Sequence, residues 1–153
     1  MAYLAIFAPI ATAILAAVLV TIGNYWLQQR VNRRNQAAEE LKRRLYEYLE
    51  FITEYWVSKD FSGQSKEALE AKMIAYGHFI SFECDELGKM SRKLRDWHRE
   101  TREDRLQLMD AATGGCFQRI ERDWQEDPQR ASQAAQAVMH IIRALNQATT
   151  IFA

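Results

Sequence analysis

Apolar residues fill the chain from Ala2 to Gly23 without one charged side chain, and beyond that they recur only at every third or fourth position. The first pattern is that of a membrane span, since about 20 helical residues cross a hydrocarbon core of roughly 30 Å. A cleaved signal peptide would carry positive charge ahead of its apolar core and a small-residue cleavage site behind it. Here no Lys or Arg precedes Tyr3, and the segment closes on Asn24, Tyr25, Trp26 and Leu27. The expectation is an uncleaved transmembrane helix over residues 1–27 and a helical domain over 28–153.

Tyr3 at one end and Tyr25 with Trp26 at the other occupy the places of interfacial aromatic belts. Arg30, Arg33 and Arg34 follow at once, with Lys42, Arg43 and Arg44 beyond. The positive-inside rule then keeps the C-terminal side in the cytoplasm and places the N-terminus outside, so the inner membrane is the expected location. At 100° per residue Ala5, Ala8, Thr12 and Ala16 gather on one side of the span with Pro9, opposite Phe7, Ile10, Ile14, Val18 and Ile22. A small-xxx-small row of this kind lets membrane helices approach closely, which predicts a homo-oligomer within the lipid bilayer. Pro9 frees a backbone carbonyl one turn back and is a place for a kink.

The second pattern has helical period. Leu27, Val31, Ala38, Leu41, Leu45, Tyr48, Ile52 and Tyr55 form a stripe that Leu49 and Trp56 widen, and no Pro or Gly interrupts residues 24–57. The span is therefore expected to run on as a long cytoplasmic helix, 28–57, with Arg34 at a core-type position. Ser62, Gly63 and Ser65 end it and offer caps. A second helix is predicted over 66–87, with Leu69, Met73, Tyr76, Ile80, Cys84 and Leu87 on one side and Gly88 as its stop. Gly77 in its middle costs about 1 kcal/mol against Ala, which calls for tight packing or a bend. A third follows over 91–112, with Leu94, Trp97, Thr101 and Leu108 inward. Asp127 as N-cap and Pro128 at the first position open a fourth, 128–149, with Ala131, Ala134, Val138, Ile141, Leu145 and Ala148 inward. The predicted fold is all-α, a four-helix bundle joined to a membrane helix.

Composition fits this division. The chain is 48% hydrophobic, yet its mean hydropathy is −0.35, because the apolar residues are concentrated at the start. The net charge is zero over the chain. It divides into 0 for residues 1–27, +4 for 28–44, −6 for 45–88, +2 for 89–111 and 0 after that. Bulk nucleic-acid binding is not expected from such a balance. Cys84 and Cys116 are the only cysteines. They fit no zinc or CxxC spacing and suit a reducing compartment.

Candidate chemistry is sparse. His78, His98 and His140 fall on three different predicted helices without a second ligand-type residue in an HExxH or ExxH arrangement. His78 and Cys84, six residues apart, point to different sides of a helix. Gly114 and Gly115 follow a helix instead of opening one, so they form no phosphate-binding loop. No ion relay is expected in a span without Asp, Glu, Lys or Arg. The expectation is a non-enzyme with no metal and no cofactor. One charge pattern stands out in "SRKLRDWHRETREDR". Arg92, Arg95, Arg99 and Arg102 recur at steps of three, four and three, and their guanidiniums suit phosphates of a nucleotide, a lipid headgroup or an acidic protein partner. Asp96, Glu100 and Glu103, at i+3 or i+4, offer the competing reading of a solvated helix laced by ion pairs.

The single span, the arginine collar and the stretches "LKRRLYEYLEFITEYW", "EALEAKMIAYGHFISFECDEL" and "MDAATGGCFQ" resemble small uncharacterised bacterial membrane proteins with one span and a helical cytoplasmic domain. The layout is also similar to membrane effectors of prokaryotic antiviral signalling. That resemblance implies a cytoplasmic domain that senses a nucleotide messenger and an oligomer that perturbs the membrane. Two functions follow as expectations: an oligomeric effector or channel gated by an anionic ligand, and a membrane-anchored scaffold or accessory subunit of a larger membrane complex.

Overall fold

The computed structural model of the chain describes residues 2–57, 65–114, 117 and 127–150, and the backbone alone for 2–11. It is all-helical: α1 is Ala2–Val57, α2 Lys66–Lys89, α3 Arg92–Glu100, α4 Arg102–Thr113 and α5 Pro128–Thr149. Two units divide the chain, Met1–Gln36 and Ala37–Ala153, and the boundary falls within α1.

In the first unit the helix is exposed on every side from Thr12 to Gln28. Nine large apolar side chains are among the exposed: Ile14, Leu15, Val18, Leu19, Val20 and Ile22, then Tyr25, Trp26 and Leu27, from 48% for Val18 to 64% for Trp26. Thr21 returns its hydroxyl to the Ala17 carbonyl at 2.8 Å, so its polar group is spent within the helix. Among the described residues no helix is long and apolar enough to cross a membrane. Of the expected span over 1–27, the side chains of residues 1–11 lie outside the described residues.

The second unit is built around one core. Ala38, Leu41, Leu45, Tyr48, Ile52 and Tyr55 alternate steps of three and four along α1 and are all buried. This is the spacing that keeps side chains on one face of a helix. Leu69, Met73, Ile80, Cys84 and Leu87 present the matching face of α2, and Ala131, Ala134, Val138, Ile141 and Leu145 that of α5. Leu27, at 63% exposure, does not belong to this stripe, and Val31, Leu49, Tyr76 and Ala148 are half-buried.

Local signals set the helix ends. Ser65 accepts from the Ala68 amide at 3.2 Å and Ser91 from the Leu94 amide at 3.3 Å. Asp127 accepts from the Arg130 amide at 3.3 Å ahead of Pro128 at the first helical position. Each gives a first-turn amide a side-chain acceptor. The Asp127 amide also donates to the Trp56 carbonyl at 2.9 Å, and the Arg130 guanidinium lies 5.2 Å from the Trp56 ring centroid. These two contacts tie the start of α5 to the end of α1. Ser62, Gly63, Gly115, Cys116 and Trp124 lie outside the described residues.

Two expected boundaries are corrected. Gly88 does not stop the second helix, which continues to Lys89. Gly88 is buried instead, where an added Cβ would stand 3.1 Å from His98 Cβ, so the glycine lets α3 pack onto the end of α2. The third helix expected over 91–112 is two helices, broken at Thr101 with φ −87° and ψ 11°. Thr101, 2% exposed, donates both its amide and its hydroxyl to the Trp97 carbonyl at 2.9 Å. The next carbonyl, His98, accepts Arg105 Nη2 at 2.9 Å. Threonine back-bonding of this kind bends helices. Among the described residues the unit therefore has five helical segments where the periodicity predicts four.

Candidate functional site

The site is built on α2, α3 and α4. Trp97 anchors α3, its indole N–H donating to the Ile141 carbonyl at 3.3 Å with the ring buried. With Leu94 and Trp97 inward, Arg92, Arg95 and Arg99 are carried on the exposed side, and Arg102 is exposed just past the break. Among the described residues no ion pair joins any of these four arginines to a carboxylate. The laced helix offered as a competing reading is thus not formed. Glu100 and Glu103 are exposed and Asp96 is half-buried. The nearby Asp104 meets His140 Nδ1 at 3.4 Å.

Between α2 and α4 lies a cleft of about 220 Å³. Gly77 and Ile80 of α2 and Leu108 and Met109 of α4 make its apolar floor. Ser81, Asp85, Arg102, Arg105 and Leu106 form the rim. Gly77 is what permits this: a Cβ there would stand 2.8 Å from Met109 Cε and 3.1 Å from the Tyr48 hydroxyl oxygen. Of the two options that the sequence left for this glycine, tight packing is the one realised.

Charge around the cleft is unbalanced toward positive. Asp85, the one rim carboxylate among the described residues, is engaged by His98 Nε2 at 2.7 Å. Arg105 spends one N–H on the His98 carbonyl and lies beside Cys84. Burial pushes the Cys84 thiol up to about 11, and the Arg105 guanidinium offsets this only in part. Cys84 is therefore a protonated core thiol at neutral pH, without the exposure of a nucleophilic cysteine. His78, in contrast, is exposed on α2. Among the described residues no group of three or more His, Cys, Asp or Glu side chains is placed to hold a metal ion.

The remaining expected site residues fall in the first unit. Thr12 and Ala16 of the small-residue face are exposed, and Ala5 and Ala8 lie outside the residues whose side chains are described. Tyr25, Trp26, Arg30 and Arg33 are exposed, whereas Arg34 is only 9% exposed.

Arg105 and Met109 have no place in the sequence-based expectations, whereas Gly77, Ile80 and Leu108 of the floor do. Arg105 continues the arginine steps by three, and that was the available sign of it. No protein-family model, curated protein or solved structure matches the chain.

Proposed function

We propose that the chain is a single-span inner-membrane protein, N-terminus outside, that assembles as an oligomeric effector or channel and is gated by an anionic ligand at its cytoplasmic helical domain. The observation that carries the reading is the apolar surface of the first unit. Nine large apolar side chains exposed all round one helix, at about 1.5–3 kcal/mol each on transfer from water, represent on the order of 10–25 kcal/mol that burial outside this chain would recover. They continue the uncharged run from Ala2, and together these residues have the length of a bilayer. Orientation follows from Arg30 and Arg33, and association from the Ala5, Ala8, Thr12 and Ala16 face. In this reading the cytoplasmic domain is a four-helix bundle in which α3 and α4 together make one bent arm.

Support for an anionic ligand comes from Arg92, Arg95, Arg99 and Arg102, exposed and without carboxylate partners among the described residues. The layout shared with antiviral membrane effectors suggests a nucleotide messenger as ligand. Reconstitution into liposomes tests this. Dye or ion release that depends on an added nucleotide, from a protein that is oligomeric in mild detergent, is the expected result. A monomer that releases nothing with any nucleotide sinks it.

A second reading, a membrane-anchored scaffold or accessory subunit, is favoured by one further observation. Phe79 and Phe82 of α2 are 54% and 62% exposed, an apolar pair suited to a protein partner. In that case Arg95→Glu with Arg99→Glu leaves membrane behaviour unchanged while co-purifying partners are lost.

A further inference from the structure

We infer that the cleft between α2 and α4 is a binding site for a small organic anion, a single ring or short chain that carries one phosphate or carboxylate. This rests on the reading that the cytoplasmic domain answers to an anion, and it names where and in what chemical form. The floor of Gly77, Ile80, Leu108 and Met109 offers no charge, so it selects an apolar body. The rim selects the sign. Asp85 is held by His98 at 2.7 Å, and its single negative charge is outnumbered by Arg102, exposed and free of ion pairs among the described residues, and by the half-buried Arg105, which lines the cleft while one of its N–H groups is spent on the His98 carbonyl. A guanidinium donates charge-assisted hydrogen bonds in a fork that matches phosphate and carboxylate oxygens.

Size limits the ligand further. A volume of about 220 Å³ is below the roughly 300–1,000 Å³ of sites for drug-sized molecules. It corresponds to about seven waters at ~30 Å³ each. One ring fills such a space. Met109 adds adaptability, because its unbranched thioether closes the floor, reached by the Tyr48 hydroxyl at 3.9 Å, and can re-pack around an occupant. The four-residue arginine stripe alone would bind any anion; adding the apolar floor distinguishes an organic anion from an inorganic one.

The test uses the full chain in lipid nanodiscs, labelled with ¹³C at the methionine methyls, and phenyl phosphate as probe. Phenol supplies the ring without the charge, and inorganic phosphate the charge without the ring. The expected result is a saturable shift of the Met109 methyl with phenyl phosphate, at an affinity roughly ten-fold or more above either control. Arg102→Glu and, separately, Leu106→Glu should abolish it, and Arg143→Glu, exposed on α5 and outside the cleft, should leave it in place. Equal response to phenol would show an apolar gap with no anion preference, and equal response to inorganic phosphate a surface arginine site only; either overturns the inference. So does an unmoved Met109, or a response confined to Met139 on α5. Nucleotide-dependent release from liposomes with an unmoved Met109 would leave the gating proposal standing and remove the cleft from it.

Discussion

Replacing Gly77 with alanine sets two effects of opposite sign against each other. In a helix interior the change should gain about 1 kcal/mol from backbone entropy and propensity. Against this, the new methyl would stand 2.8 Å from Met109 Cε, 3.1 Å from Met109 Sδ and 3.1 Å from the Tyr48 hydroxyl oxygen. The methionine terminus can swing toward the cleft, but Tyr48 is fully buried and its ring has nowhere to go. Overpacking of this kind costs about 1–3 kcal/mol. The net expectation for Gly77→Ala is therefore a destabilisation of about 1 kcal/mol, or a loss of a few degrees in Tm for a unit of this size. Urea unfolding of the full chain in one fixed mild detergent, followed by far-UV circular dichroism, measures it. The cause is checked in the Met109→Ala background, where both Met109 contacts are gone and only the 3.1 Å approach to the Tyr48 hydroxyl remains, so the same substitution should come out about neutral, a coupling of about 1 kcal/mol. If Gly77→Ala stabilises the protein by about 1 kcal/mol as an open helical glycine would, the close approach of α2 to Met109 is refuted.

Tyr55→Phe removes the 2.6 Å hydrogen bond to Glu70, a residue 7% exposed. The cost should be about 1.5–3 kcal/mol in the same unfolding assay, and a change under about 0.5 kcal/mol would deny the bond any weight. Thr101→Val keeps the shape of a buried residue and loses only the hydroxyl bond to the Trp97 carbonyl. A loss of about 1 kcal/mol is expected by thermal unfolding, together with a straighter α3–α4 junction by amide chemical shifts. Cys84 in a Cys116→Ser background should resist iodoacetamide at pH 8 until denaturant is added, and rapid alkylation of the folded protein would contradict its burial. Since its folded pKa is raised from 9.0 to about 11, its contribution to stability is complete below pH 9 and declines as pH rises from there toward 11, which a pH series of unfolding midpoints can follow. Arg95→Glu with Arg99→Glu should leave the unfolding midpoint within about 0.5 kcal/mol of the parent, because both side chains are exposed and without ion pairs among the described residues.

Much of the helical scaffold was legible before any coordinates. Leu41, Leu45, Tyr48 and Ile52, or Ala134, Val138, Ile141 and Leu145, are spaced so that one face of each helix must be buried, whatever it meets. Ser65 and Asp127 are legible for a similar reason, since an N-cap acts within its own turn. The arginine stripe was legible as a stripe, but its pairing was not. Spacing places Asp96, Glu100 and Glu103 within reach of the arginines, and the gain from closing such exposed pairs is too small to dictate side-chain geometry.

Local order, then, is what the residues determined by themselves: the helices, most of their ends and the faces they bury, because hydrophobic period and capping act over one or two turns. Which faces meet was decided only by the tertiary structure. Gly77 is a liability in isolation and becomes an asset when Met109 and Tyr48 approach it. Gly88 reads as a stop and serves as a seat for His98. Thr101 looks like any inward residue until its hydroxyl takes the Trp97 carbonyl and Arg105 takes the next one, turning one expected helix into two. The cleft exists for the same reason: its floor comes from α2 and α4, about 30 residues apart in the chain, and only packing brings them to opposite walls of one space.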